Sequence, residues 1–178
     1  LPSRGAALDI TLPAWIPGSY MIRDFARNVL EISATDANGS YNPRPVDKQT
    51  WRLRPAAGPI VVRYSVYAND LSVRGAHVDD RHAYFNGPCV FLRVVGLDQA
   101  PHDVLLEKPG HATASDWRVA TTLPAREVDA DGFGRYSAPD YASLIDYPIE
   151  ISDFESVDFE VEGVLHRVVL TGVQKADL

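Results

Sequence analysis

With 178 residues, 46% of them apolar and 23% charged, the chain has the makeup expected of a soluble globular protein, long enough to bury a core as one domain over residues 1–178. Its 24 acidic and 17 basic side chains give a formal net charge of -7, which argues against the clustered Lys and Arg that a nucleic-acid partner requires. No apolar run approaches the roughly 18 residues of a membrane span, and the single cysteine, Cys89, excludes an intrachain disulfide.

Leu1 is neither an initiator Met nor part of a basic leader, so the sequence is expected to be a piece of a longer chain. Leu8, Ile10 and Leu12 alternate with Asp9 and Thr11, the period-two pattern of a half-buried strand. Segment 13–24 follows, and its two prolines, Trp15, Tyr20 and the Arg23-Asp24 pair make it too rich for a filler loop. Pro17-Gly18 predicts a type II turn, across which Trp15 and Tyr20 are expected to pack. On turn chemistry this is a structural corner; the other reading is a rigid aromatic surface facing a substrate or a neighbouring domain. Residues 21–27 suit one helical turn, and Val29, Ile32 and Ala34 lead a strand into Asn38-Gly39, a hairpin signal.

Pro43 and Pro45 predict an irregular stretch over 41–46, before a strand at 49–53 that carries Trp51. Residues 60–67 are nearly all β-branched or aromatic, and this strongest strand is expected at the centre of a sheet. Residues 81–85 and 90–95 flank Asn86-Gly87-Pro88 and read as two strands joined by a tight turn. Further strands are expected at 104–107 and 117–120. One helix is predicted, with Pro139 at its first position, Asp140 in the first turn, Tyr141, Leu144 and Ile145 on one face, and Pro148 as its stop. Val157, Phe159 and Val161 alternate with acids before Gly163 and residues 164–170, a clean hairpin; residues 175–178 follow with no closing element. This spacing predicts a mostly β fold, an antiparallel β-sandwich or a saddle-like curved sheet with one or two short helices.

Chemistry-bearing constellations are sparse. Cys89 lies in an apolar run and reads as a buried, inert thiol. The five histidines, His77, His82, His102, His111 and His166, include no His-Glu-x-x-His signature. His77-Val78-Asp79-Asp80-Arg81-His82 gathers potential ligands, but its spacing matches no established site type and a polar loop of this kind is ordinarily solvated, so no metal is expected there. Ser19 lacks a nucleophile elbow, and Asp131-Gly132-Phe133-Gly134 lacks the lysine of a phosphate cradle, so no catalytic residue is expected. Asp146-Tyr147-Pro148-Ile149-Glu150 follows the predicted helix among apolar neighbours, where a carboxylate can face a cleft and bind a cation; a helix-terminal loop of exposed acids is the plainer reading.

Several segments, in order and over nearly the whole chain, together resemble one family. Leu12-Pro13-Ala14-Trp15-Ile16-Pro17-Gly18-Ser19-Tyr20, Ile22-Arg23-Asp24-Phe25-Ala26-Arg27, Val66-Tyr67-Ala68-Asn69-Asp70-Leu71-Ser72-Val73-Arg74, Phe85-Asn86-Gly87 and Leu144-Ile145-Asp146-Tyr147-Pro148-Ile149-Glu150 look like the N-terminal domain of the glycyl aminopeptidases. These are zinc metallopeptidases that also carry a PDZ domain, and the run from Trp15 to Tyr20 is fairly specific to them. The resemblance implies a three-part protein: this β-rich domain, a thermolysin-like catalytic domain with the His-Glu-x-x-His helix, and the PDZ domain. Only the first part is matched, so opening strands are expected before Leu1 and the zinc cofactor is expected in a catalytic domain after Leu178, with none in this chain.

By a weaker analogy, the β-saddle of other zinc aminopeptidases uses acidic or amide side chains to hold the substrate's free amine. The resemblance therefore implies Glu150, and then Asp146, as substrate-binding residues, with Trp15, Tyr20 and Arg23 facing the catalytic domain. The implied function is an accessory, substrate-shaping domain of an aminopeptidase that removes small N-terminal residues such as Gly or Ala. Two alternatives stand beside it: a structural docking module with no substrate contact, and a carbohydrate-binding sandwich using Trp15, Trp51 and Trp117. A cytoplasmic or a periplasmic location suits the sequence equally.

Overall fold

The computed structural model describes residues 5–110 and 114–172; the expectations placed on Leu1, His111 and residues 175–178 lie outside them. In chain order, strands β1 (Leu8–Thr11), β2 (Val29–Asp36), β3 (Gly39–Tyr41), β4 (Arg44–Pro45), β5 (Thr50–Leu53), β6 (Val61–Val66), β7 (Ala76–Val78) and β8 (His82–Phe85) precede helix α1 (Gly87–Val90). After it come β9 (Arg93–Val94), β10 (His102–Leu106), β11 (Arg118–Ala120), β12 (Ala125–Val128), β13 (Gly134–Ala138), helix α2 (Tyr141–Ile145), β14 (Ile149–Ser152), β15 (Glu155–Val161) and β16 (Val164–Leu170). The described residues thus form a mostly β structure of five antiparallel sheets with two short helices and no closed barrel. No helix among them is long and apolar enough to cross a membrane.

Two sheets share the first core. In the order β4-β5-β1-β9, the inward residues Ile10, Leu53 and Val94 meet Ala34, Ile32 and Val62 of the sheet β3-β2-β6. Alternation in β1 explains its orientation, because Ile10 is buried while Asp9 on the other face pairs with Arg52 through two hydrogen bonds of 2.7 and 2.8 Å. A second core lies under the sheet β10-β13-β12, where Val104, Tyr136 and Ala138 pack on Tyr141, Leu144 and Ile145 of α2. The predicted helix is present, with Asp140 one step earlier than expected. It is the N-cap, and its carboxylate accepts the Ser143 N–H at 2.7 Å. The third core, Trp117, Phe133, Ile149 and Ile151, backs the sheet β11-β14-β8-β7.

Segment 13–24 reaches between these parts. Leu12 and Ile16 join Phe25, Ala26, Ala76 and Cys89 in a cluster of their own. The predicted turn is there, with Gly18 at φ 76° and the Ser19 N–H donating to Ile16 O at 3.2 Å, and a single 3-10 turn at Phe25–Asn28 stands for the expected helical turn. The expected packing of Trp15 against Tyr20 is absent. The Trp15 indole N–H instead donates to Ser19 O at 2.6 Å, and Tyr20, Met21 and Ile22 project into solvent.

Two further expectations are corrected. Residues 60–67 do contain β6, but among the described residues it pairs with β2 alone and is the edge of its sheet, since β-branched composition reports a pleated surface and not the number of neighbours. Asn86-Gly87-Pro88 does not turn a hairpin. Pro88 sits where a helix begins, the Phe91 N–H closes on Gly87 O at 2.7 Å, and α1 carries the chain away from β8 so that β9 pairs with β1.

Candidate functional site

The sheet β11-β14-β8-β7 has two unlike faces, set by period-two alternation. Ala83, Phe85, Ile149 and Ile151 turn into the core, so His82, Tyr84, Glu150 and Ser152 turn the other way. The register aligns His77 opposite Tyr84, Tyr84 opposite Glu150, and His82 opposite Ser152. This outward face floors a cleft of about 810 Å³, with His77, His82, Tyr84 and Glu150 among its lining residues.

One wall is the loop before β7. The Tyr84 hydroxyl and the Asn86 amide both donate to Val73 O, at 3.1 and 2.6 Å, and so tie down a loop whose Leu71 and Val73 side chains stand exposed at the cleft rim. The opposite wall is formed by the end of β16 and by Thr171, the residue after it. Ser152 Oγ donates to Thr171 Oγ1 at 3.0 Å, and Thr171 donates to Glu150 Oε1 at 2.7 Å, so a short relay orients the Glu150 carboxylate. Carboxylates dominate the cleft, with Asp80, Glu150, Asp153 and Glu155 against the single guanidinium of Arg81. Such a concave acidic surface concentrates cations.

At the cleft's end, the β7–β8 turn is built on Asp79. Its Oδ1 accepts the N–H groups of Arg81 at 2.8 Å and His82 at 3.0 Å, and its own N–H donates to His82 O at 3.0 Å. These bonds, the Arg81 N–H first, hold the Asp79 carboxyl far below the usual carboxylate range. The turn was expected to be solvated like other polar loops. His77 is instead 7% exposed, and its ring stacks on that of His82 with centroids 5.0 Å apart.

The structure scatters the other residues that the sequence singled out. Asp146 closes α2 as its C-cap, exposed and outside the cleft lining. Trp15, Tyr20 and Arg23 belong to the segment 13–24 and do not line the cleft. The Arg23 backbone N–H donates to Ala14 O at 2.7 Å, and its charge, after the Ser72 N–H and with that of Arg27, helps to hold the Asp70 carboxyl low. Trp51 packs on the core clusters and Trp117 is buried, so the three tryptophans present no shared platform for a sugar. Cys89 is buried, and desolvation pushes its thiol up to about 12, which suits an inert core residue. Tyr84 and Thr171 were not foreseen. The alternation in 82–85 and 149–152 is the signal that marks the shared face.

Comparison with known proteins bears on the same residues. Residues 1–153 match the family model described as the peptidase M61 N-terminal domain. The chain is also similar to a protein of known crystal structure, an aminopeptidase N family protein from Idiomarina loihiensis, at 35% sequence identity and a TM-score of 0.93. That match covers 99% of this chain and 30% of the other, so the chain spans about a third of that relative's length. No curated protein matches it.

Proposed function

This chain belongs to the peptidase M61 N-terminal domain family, and on that premise we propose that it is the accessory, substrate-shaping domain of a zinc aminopeptidase that removes small N-terminal residues such as Gly or Ala. The observation that carries the proposal is Glu150, placed on the floor of an acidic cleft with one oxygen held by Thr171. Among the described residues, Thr171 bonds Oε1 of this carboxylate, and the proposal assigns the second oxygen to the ligand. A carboxylate suits a substrate ammonium, because a charge-assisted hydrogen bond in a partly desolvated cleft favours a free N-terminus over an internal amide. Thr171 and Ser152 fix where that oxygen points, and the remaining acids of the cleft add attraction at longer range.

The sequence contains no His-Glu-x-x-His, so the zinc of such an enzyme has no matching ligand set on these residues and no step of the hydrolysis is assigned to them. The chain's part is to bind and orient. Segment 13–24 supports a docking role beside this one, since Trp15, Tyr20, Met21 and Ile22 expose apolar surface that a neighbouring catalytic domain would cover, with Arg23 at its base.

In the complete enzyme, Glu150→Ala is expected to lower kcat/KM for aminopeptide substrates about 10- to 100-fold, the range of a lost hydrogen bond to a charged group, while zinc content stays at the wild-type level. Steady-state kinetics beside metal analysis checks this. Unchanged kinetics would leave the docking role without the substrate contact.

A further inference from the structure

We infer that His77, Asp79 and His82 form a three-ligand site for a divalent transition-metal ion, zinc foremost, built wholly by the β7–β8 hairpin. One ligand atom from each residue can be chosen so that all lie within 4.8 Å of one another. His77 Nε2 stands 3.3 Å from Asp79 Oδ2, and His82 Nδ1 stands 3.4 Å from Asp79 Oδ1. Ligands about 2.1 Å from a tetrahedral ion lie roughly 3.4 Å apart, so the His77 Nε2–Asp79 Oδ2 separation already has the required length, whereas His82 Nδ1 approaches the other oxygen of Asp79. The other two separations, each within 4.8 Å, close with side-chain shifts of up to roughly 1.5 Å. Two imidazoles and one carboxylate suit zinc and its neighbours, whereas calcium and magnesium select all-oxygen sets.

The arrangement is poorly explained as a set of internal hydrogen bonds. His77 is 7% exposed, and neither of its ring nitrogens makes a well-aligned hydrogen bond among the described residues, although Nε2 lies at ion-pair distance from Asp79 Oδ2 and, after the Arg81 and His82 N–H groups, helps to hold that carboxyl low. A buried imidazole held this close to a carboxylate, with no well-aligned bond to either ring nitrogen, has the spacing of two ligands of a common ion. Asp79 is pre-set for the role, because the backbone bonds of the turn engage Oδ1 and leave Oδ2 toward His77. Arg81, 3.8 Å from Oδ2, is the charge an incoming ion would displace, and its side chain is 84% exposed and turns freely into water. His77 and His82 both line the cleft, which gives an ion a path from solvent to these two ligands. His77 Nδ1 has no acceptor to orient it, a lack that typically costs 10- to 100-fold in affinity and points to a micromolar site.

The inference does not rest on the role proposed for Glu150, and its test uses zinc alone. The 178-residue chain, stripped with EDTA, is titrated with zinc chloride by calorimetry and with cobalt(II) by visible absorption. The expected result is one zinc per chain with a micromolar Kd, a tetrahedral cobalt spectrum, and a melting temperature raised by zinc. Asp79→Asn keeps an oxygen to accept the turn's N–H groups and removes the anionic ligand. It and His82→Gln are each expected to weaken zinc binding at least 10-fold, with wild-type circular dichroism in EDTA. Absence of saturable binding in the wild-type chain would overturn the site, as would binding that both variants leave unchanged.

Discussion

Asp36 ends β2 with a side chain 1% exposed, and Arg54 occupies both of its oxygens, Nη2 on Oδ1 at 2.6 Å and Nε on Oδ2 at 2.8 Å. The Asn38 N–H adds a bond of 2.7 Å, and Arg54 itself reaches Gly39 O at 3.0 Å and covers the Tyr41 ring at 4.1 Å. These bonds, Arg54's first, hold the Asp36 carboxyl below its ordinary value. A native pKa below the unfolded one means that the unfolded chain takes up the proton first. The pair's contribution is therefore whole above about pH 4 and is lost as the pH falls through the native value. Asp36→Asn is expected to lower the melting temperature at pH 7 by several degrees and to flatten the fall in stability below about pH 4, as thermal melts across pH would read. At this scale the sequence is legible only where chemistry is local. Asn38-Gly39 announces its turn, but nothing near Asp36 names Arg54 as its partner. Tyr20 stands out by composition, yet no pattern around it says that it projects into solvent while the Trp15 indole bonds Ser19 O.

Elements are legible where their periodicity is long or capped. The hairpin β15–β16 follows the expected alternation, with Glu162 and Gly163 at φ 51° and 78° in its two-residue turn, and α2 keeps its predicted face. Strand β12 is exposed along its whole length and has no alternation to betray it. The step after Asn86 is decided by a contact that no local pattern encodes. A methyl group on Gly87 would stand 2.7 Å from Ile145 Cα and 3.1 Å from Leu144 O, so α1 and α2 meet at a position that admits only hydrogen. Gly87→Ala is expected to destabilise the protein by about 1–3 kcal/mol in urea denaturation. Gly58→Ala, with nothing within 4 Å of the added methyl, is its control and is expected to fall within about 0.5 kcal/mol of wild type.

For the whole molecule, the mostly β class follows from strand-length apolar runs and turn residues, but the division into five sheets does not. Partner choice rests on pairings far apart in sequence, such as β14 with β8 and β10 with β13, and single-strand patterns carry no trace of them. Glu150 is a case of both. Its residue type and neighbourhood are readable, and the cleft in front of it comes from strands and a loop that only the fold assembles. The proposed division of labour between domains has a direct check, because the chain alone is expected not to hydrolyse glycyl or alanyl chromogenic amides. Turnover by the purified chain that co-purifies with it through successive columns would contradict the accessory role.

Strand β1 lies between β5 and β9, with Ile10 paired to Trp51 on one side and to Val94 on the other. On a ribosome adding about 5–20 residues per second, the second partner arrives about 80 residues after the first residue of the pair, roughly 4 to 16 s later. Through that interval the nascent strand offers Leu8, Ile10 and Leu12 with at least one edge open, a ready template for aggregation or for chaperone capture. The early appearance of β5, which covers the other edge after about 40 residues, shortens the exposure on one side only. Synthesis of residues 54–94 is thus the interval in which the second edge of β1 waits for its partner.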